Sequence, residues 1–323
     1  MRRRTFLASA AAAGAAGAID SGAADFSDTV MPRRPYGKTG ISLSVVGLGG
    51  MVLKDTEQAH ANAIVKDAVD AGINYFDVAP TYGDSEQRLG PALEPYRDGV
   101  FLACKSTQRT KEELNEELSR SLDRLRTDHF DLYQLHAITT AQDIATAFGR
   151  GGALEAVLEA REKGIVRNIG FSAHSVEAAM EALELFAFDS ILVPVNFVTW
   201  YHGKFGPQLV EYARDRGAAI LALKSMALTR IPRGQERPYA NCWYVPVEDE
   251  EMASLALRFT LSLPVTAAVP PGDEGLWRTA VKMASRFLPL SDSEQERLRT
   301  VAMETEPLFG YPSGQFNLVE KNG

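Results

Sequence analysis

The sequence predicts a (β/α)8 TIM barrel with an N-terminal β-hairpin, an α/β fold, and three observations carry that expectation. From Ser44 onward short apolar, β-branched runs alternate with longer amphipathic ones, which is the rhythm of βα units around a parallel sheet. The short runs number eight over about 280 residues, the size of one closed barrel of this type. The first run, VVGLGGMVL, lacks the G-x-G-x-x-G spacing of the runner-up, an open doubly wound sheet.

Taken in order, RRPYGKTGISLS places two short extended stretches around Gly37-Lys38-Thr39-Gly40 and reads as a hairpin. Being antiparallel, it cannot join a parallel barrel in register and is expected to cap the N-terminal end. The strands follow at 44–50, 74–79, 100–106, 130–136, 166–172, 190–197, 218–225 and 265–270. Between them, apolar residues recur at helical spacing over 57–71, 111–126, 152–163, 176–186, 207–216, 249–262 and 274–287. In the second of these, Leu114, Leu118, Leu122 and Leu125 form one stripe with charges between them. The longest connection, 226–248, holds Trp243 and Tyr244 with Arg230, Arg233 and Arg237. A loop of that length with aromatic residues points to function. The arginines suit either an acidic or polyhydroxylated substrate or a solvated loop surface.

Residues 1–30 read as a leader and short linker, and 31–323 as the barrel domain. Arg3-Arg4-Thr5-Phe6-Leu7, followed by an Ala/Gly run, resembles the core of a twin-arginine signal peptide. The implied partner is the twin-arginine translocase and the implied destination is outside the cytoplasmic membrane, in the periplasm. Cleavage after Ala18 or Ala24 releases the domain; without cleavage the leader stays as an anchor. The h-region is too short for a stable span. The net charge of −8 and pI near 5.3 provide no basic field for nucleic acid. Two cysteines, Cys104 and Cys242, and five histidines scattered along the chain give neither a disulfide scaffold nor a metal motif.

In a barrel of this type the active site lies at the C-terminal ends of the strands. Ionisable residues stand there on successive units: Asp77, then Tyr82 just beyond, Lys105 and His136. Each alone has a plain structural reading as a cap, a turn aromatic or a core histidine. Lys105 is the hardest to explain that way, since a lysine inside VFLACKS is costly without a paired charge. Together they make an acid catalyst. A phenol of pKa near 10 donates poorly at pH 7 unless a cation stabilises its phenolate. Lys105 supplies the cation, Asp77 holds it charged, and His136 bonds the substrate oxygen or the tyrosine. Such a site protonates a carbonyl oxygen as hydride reaches the carbon, or runs the step backwards, and needs a hydride carrier that no amino acid provides.

These residues resemble the aldo-keto reductase family. GINYFDVAPTYGDSEQRLGPAL at 72–93 is similar to the family's GxxxFDTAxxYGxSExxLGxAL block, and LACKS, FDLYQLH and VRNIGFSAHS follow in the family's order. The similarity covers roughly residues 33 to 290. It implies a catalytic tetrad at Asp77, Tyr82, Lys105 and His136, with Tyr82 as general acid/base, and a nicotinamide coenzyme, NADP with NAD as the alternative. It places Gly49, Gly50, Met51, Ser172, Asn196, Leu223, Lys224, Gly272 and Arg278 at the coenzyme, and Trp243 and Tyr244 at a carbonyl, alcohol or sugar substrate. The chain departs from the family at Ala173-His174 after the serine, at Leu192 where a glutamine is common, and at Leu223 where an aromatic residue stacks on nicotinamide. Asp273 and Glu274 stand where basic residues commonly meet a 2′-phosphate, and acidic groups there repel a phosphomonoester. The rival reading is a nucleotide-binding redox sensor or regulatory subunit with little turnover. With export, the coenzyme is expected to be loaded before transport.

Overall fold

The computed structural model describes residues 31–312; the leader expected over 1–30 lies outside them. All eight expected strands form, as β3 (Leu48–Gly49), β4 (Tyr75–Asp77), β5 (Phe101–Ser106), β6 (Phe130–Ile138), β7 (Val166–Ala173), β8 (Ser190–Pro194), β9 (Ala219–Leu223) and β12 (Ala267–Val269). They pair in parallel, in chain order. Gly47 N–H donates to Ala268 O (2.9 Å) and Ala268 N–H to Val45 O (2.8 Å), which brings the sheet to near closure as a (β/α)8 barrel. The expected hairpin is β1 (Arg33–Pro35) with β2 (Ser42–Ser44), paired Arg34↔Leu43.

Strand alternation divides the core into two layers. One face of each strand packs inward: Tyr75, Phe101, Ala103, Leu132, Leu192, Leu221, Ala267 and Val269 cluster with Tyr36 and Leu43 of the hairpin. The Tyr36 hydroxyl donates to Ser190 Oγ at 2.8 Å and the residue is fully buried, so the hairpin plugs the barrel floor. The other face meets the helices in a larger apolar layer that includes Cys104, Tyr133, Phe171 and Ile191. At about 3.3 Å per residue along a strand, two steps beyond the floor residues lies the barrel mouth. Asp77 follows Tyr75, Lys105 follows Ala103, and Gln134 and His136 follow Leu132 on that inward face.

The seven expected helices form as α1 (Gln58–Asp70), α3 (Lys111–Leu125), α5 (Ala153–Glu162), α6 (Val176–Leu185), α8 (Pro207–Asp215), α9 (Glu250–Ser262) and α10 (Glu274–Ala284). Four further helices appear: α2 (Ser85–Leu93), α4 (Ala141–Phe148), α7 (Phe197–Tyr201) and α11 (Asp292–Glu304). Segment 226–248 is no plain loop. It holds an antiparallel ribbon of β10 (Ala227–Arg230) and β11 (Tyr244–Pro246), which satisfies backbone groups that a long loop leaves to water. The chain after α11 is bound to it, as Thr229 Oγ1 donates to Glu306 O (2.9 Å) and Arg230 donates to Leu308 O, and Tyr311 N–H donates to Gly203 O (2.8 Å) beyond α7. Arg230 is thus spent on the backbone, while Arg233 and Arg237 are exposed. No helix among the described residues is long and apolar enough to cross a membrane.

Candidate active site

At the mouth, Asp77 and Lys105 are each 1 % exposed and bonded to one another. Lys105 Nζ also donates to Val78 O at 3.2 Å. The second carboxylate oxygen of Asp77 accepts from Gln134 Nε2 (3.1 Å) and from the Tyr75 hydroxyl (3.3 Å). The carboxylate is therefore held from three strands, and a buried charge held this way cannot turn. Tyr75 and Gln134 escaped the sequence reading. The signal was available, because each stands two residues from a chosen group on the same strand face.

Tyr82 sits on the turn after β4, where its N–H donates to Ala79 O (3.0 Å) and its carbonyl accepts from Ser85 Oγ (2.7 Å). Lys105 Nζ lies 4.8 Å from the centre of its ring. His136 meets the ring edge-on, centroids 6.2 Å apart. A bulge follows His136: the β6/β7 register shifts between Leu135 and Ile138, with Ala137 at φ 57°. Bulges of this kind re-aim a side chain. Arg109 NH2 donates to the His136 and Ala137 carbonyls (2.8 and 3.1 Å) and its Nε pairs with Asp143 Oδ1 at 2.9 Å, so the bulge is clamped.

The charges set the protonation states. Burial alone pushes the Lys105 ammonium down, but Asp77 and Tyr82 outweigh it and raise its pKa above the ordinary value. Tyr82 differs from the expectation. Burial raises its pKa above 10, and the opposing pull of Lys105 is only partial because Asp77 sits on the same ammonium. Burial, and then Lys105, drive His136 well below its usual pKa, so its ring is neutral at pH 7. Burial and Lys105 push Lys224 down to about 7.

A cavity of about 150 Å³ brings Asp77 and Tyr82 together with Gly49, Met51, Leu223, Lys224, Trp243, Tyr244 and Gly272. Asn241, Val269 and Pro270 also line it and were not foreseen; Asn241 Nδ2 anchors to Met51 O at 3.1 Å. Gly50 is outside this lining. A Cβ there would lie 2.7 Å from Val78 Cγ2, so the glycine is needed for close packing against Val78 just beyond β4. Ser172 Oγ accepts from Ala137 N–H (2.8 Å), supporting the bulge. Asn196 caps α7 by accepting from Thr199 N–H (2.9 Å), while its Nδ2 is buried without a partner. His136 Nδ1 and His174 Nε2 are likewise buried and unpartnered. Leu192 is fully buried in the barrel core.

Arg278 stands apart on α10, paired with Glu274 and Asp67 at 2.8 Å each, and its NH1 is buried without a partner. Asp273 caps α10 by accepting from Leu276 N–H (3.0 Å). Glu274 also bonds His60 Nε2 (2.6 Å). The two acids are thus engaged by the protein, Asp273 as a helix cap and Glu274 in ion pairs. Cys104 and Cys242 are buried free thiols, and the described residues contain no cluster of metal-ligating side chains.

The sequence profile of the aldo/keto reductase family matches residues 45–301. The chain is 35% identical over 156 residues to the uncharacterized oxidoreductase YqkF of Bacillus subtilis, spanning 44% of this chain and 49% of that protein. It is 29% identical over 210 residues to the aldo-keto reductase YhdN of the same organism, spanning 58% and 60%. The chain therefore spans about half and six tenths of the lengths of these two relatives. The holo form of aldo-keto reductase AKR11C1 from Bacillus halodurans superposes with a TM-score of 0.69 at 22% identity, covering 88% of this chain and 99% of that one, a likeness of fold.

Proposed function

Since this chain belongs to the aldo/keto reductase family, we propose that it is an NAD(P)-dependent oxidoreductase that interconverts a small aldehyde or ketone and its alcohol, with Tyr82 as general acid/base. One observation carries the reading: a buried Lys105–Asp77 pair, held from three strands, lies beneath Tyr82, which shares the cavity wall with Asp77 and Lys224. The rival reading as a regulatory subunit is not favoured by relatives named as oxidoreductases and reductases.

A nicotinamide coenzyme supplies the hydride. The residues present fit it: Asn196 Nδ2 is a buried donor with no protein partner, and Ser172 Oγ, engaged only as an acceptor in the hydrogen bonds described, keeps its proton free to donate. These two hold the carboxamide. Tyr82 gives its proton to the carbonyl oxygen, the Lys105 ammonium stabilises the phenolate left behind, and Asp77 keeps that ammonium charged and fixed. His136, neutral and clamped by the Arg109 bulge, positions the substrate oxygen. Trp243 and Tyr244 form the wall beyond it. We take NADPH as the preferred coenzyme, with Arg278 NH1 as the donor for its 2′-phosphate; tighter binding of NADH refutes this. Export by the twin-arginine route, with coenzyme bound beforehand, is part of the same proposal. Replacing Arg3 and Arg4 by lysine is expected to retain the protein in the cytoplasm.

The test is coenzyme oxidation against a panel of aldehydes and ketones. Tyr82→Phe should still bind coenzyme while losing the chemical step by about 100-fold or more. Turnover that survives the substitution removes Tyr82 from the mechanism.

A further inference from the structure

Two buried cations face this site, and among the described residues only one of them has a counter-ion. Lys105 is matched by Asp77. Lys224 is 7 % exposed, stands just beyond β9 with φ 63°, and lines the same cavity as Tyr82. Its Nζ lies 5.3 Å from the Trp243 ring centre and 5.5 Å from that of Phe309. No carboxylate among the described residues pairs with it. Aromatic faces attract a cation but do not neutralise it, and an ammonium out of water is costly without an anion. Beside it, His174 stacks on Phe309 (5.1 Å, 4°) with its buried Nε2 unpartnered. One charge and one polar atom of the same neighbourhood therefore await a ligand.

We propose that Lys224 is the anion-recognising residue of this site and that the substrate is a small carbonyl compound bearing a carboxylate, which lies on Lys224 while the carbonyl meets Tyr82. This deepens, and rests on, the oxidoreductase reading. Asp77 is the one acidic residue in the cavity lining, and its charge is consumed by Lys105, so nothing there repels a carboxylate. Burial and Lys105 push the Lys224 amine down to about 7, and an ammonium so destabilised gains strongly from an anion. The cavity is small, about 150 Å³, which suits a short-chain substrate. A coenzyme phosphate shares the anion chemistry, and the experiment separates the two.

The full chain, Lys224→Met and Lys224→Arg are assayed with 4-oxobutanoate against butanal and with glyoxylate against acetaldehyde, and coenzyme Kd is measured for each. The acid-over-neutral ratio of kcat/KM should fall about 10- to 100-fold in Lys224→Met, the loss of a charge-assisted bond, chiefly through KM, and be retained in Lys224→Arg. Equal loss for acid and neutral substrates overturns the proposal. So does an unchanged ratio with a weakened coenzyme Kd, which assigns Lys224 to a phosphate. If no substrate is turned over, succinate is titrated against tryptophan fluorescence, with Trp243→Phe to identify the signal. A saturable change that Lys224→Met abolishes keeps the carboxylate site while removing the oxidoreductase reading; no saturable change removes the site as well.

Discussion

Replacing Lys105 by methionine should separate what the buried ion pair does for folding from what it does for chemistry. Without the ammonium, Asp77 stays 1 % exposed with the Gln134 amide at 3.1 Å and the Tyr75 hydroxyl at 3.3 Å as its remaining side-chain donors. Stranding a buried charge costs about 3–5 kcal/mol, and two neutral donors place this case toward the lower end, about 3 kcal/mol. Adding Asp77→Asn removes the stranded charge and should restore about 2 kcal/mol, because a buried pair contributes little net stability once both desolvation penalties disappear. Activity should behave differently. Lys105→Met loses the cation that stabilises the Tyr82 phenolate, about 100-fold or more in rate, and the double variant recovers none of it. Stability is read from urea unfolding at pH 7 and chemistry from single-turnover hydride transfer. The pH choice follows from the sign of the shift. Lys105 has a pKa raised by Asp77, so its contribution is fully present below its unfolded value near 10.4 and fades only as pH rises through the folded one. A single variant as stable as the parent, or a double variant that regains turnover, refutes the scheme.

Four further outcomes follow from the same geometry. Reduction of a neutral substrate such as butanal should be level from pH 5.5 to 9, because burial raises Tyr82 above 10 and holds His136 well below 6.5; a decline between 7 and 9 with that substrate contradicts those environments. Arg109→Met should lower kcat about tenfold with coenzyme affinity little altered, since it releases the carbonyls of His136 and Ala137, and the separate measurement of kcat and Kd checks it. Tyr36→Phe leaves Ser190 Oγ without its donor at the barrel floor and should cost about 1–2 kcal/mol in urea unfolding while kcat is unchanged. The NADPH-over-NADH preference should be modest, within about tenfold, because Arg278 already shares its charge with Glu274 and Asp67; paired Kd values test this.

The strands were legible because each must bury both faces. A β-branched run between polar helices has no other place in a soluble fold. The helices that escaped notice did so for local reasons. Helix α2 contains Gly90 and Pro91, which read as a break, yet a Cβ at 90 would lie 2.3 Å from Arg124 O, so the glycine is what lets α2 approach α3. Helices α4 and α11 each begin with a capping box, Thr140 with Asp143 and Ser291 with Glu294, a signal that was present in the sequence. The β10–β11 ribbon was not foreseeable from 226–248 alone. Its two strands are short, their register shifts between Ala227 and Thr229, and its anchor at 305–311 is distant in sequence, so no periodicity announces them.

The site divides along the same line. Lys105 and Asp77 could be read as a pair because an inward strand position tolerates a charge only beside its opposite, so burial itself specified the partner. Tyr75 and Gln134 carry no charge and made no such demand, although they complete the carboxylate's hydrogen bonds. The engagements of Arg278, Asp273 and Glu274 were not legible for the opposite reason: on a surface helix charges find one another at short range, and sequence alone does not say which are already engaged. Lys224 joins the two cases. It sits as deep as a core residue, like Lys105, but the fold offers it rings in place of a carboxylate. A protein that matches one buried ammonium and leaves its neighbour unmatched has reserved the second for something that arrives with a negative charge.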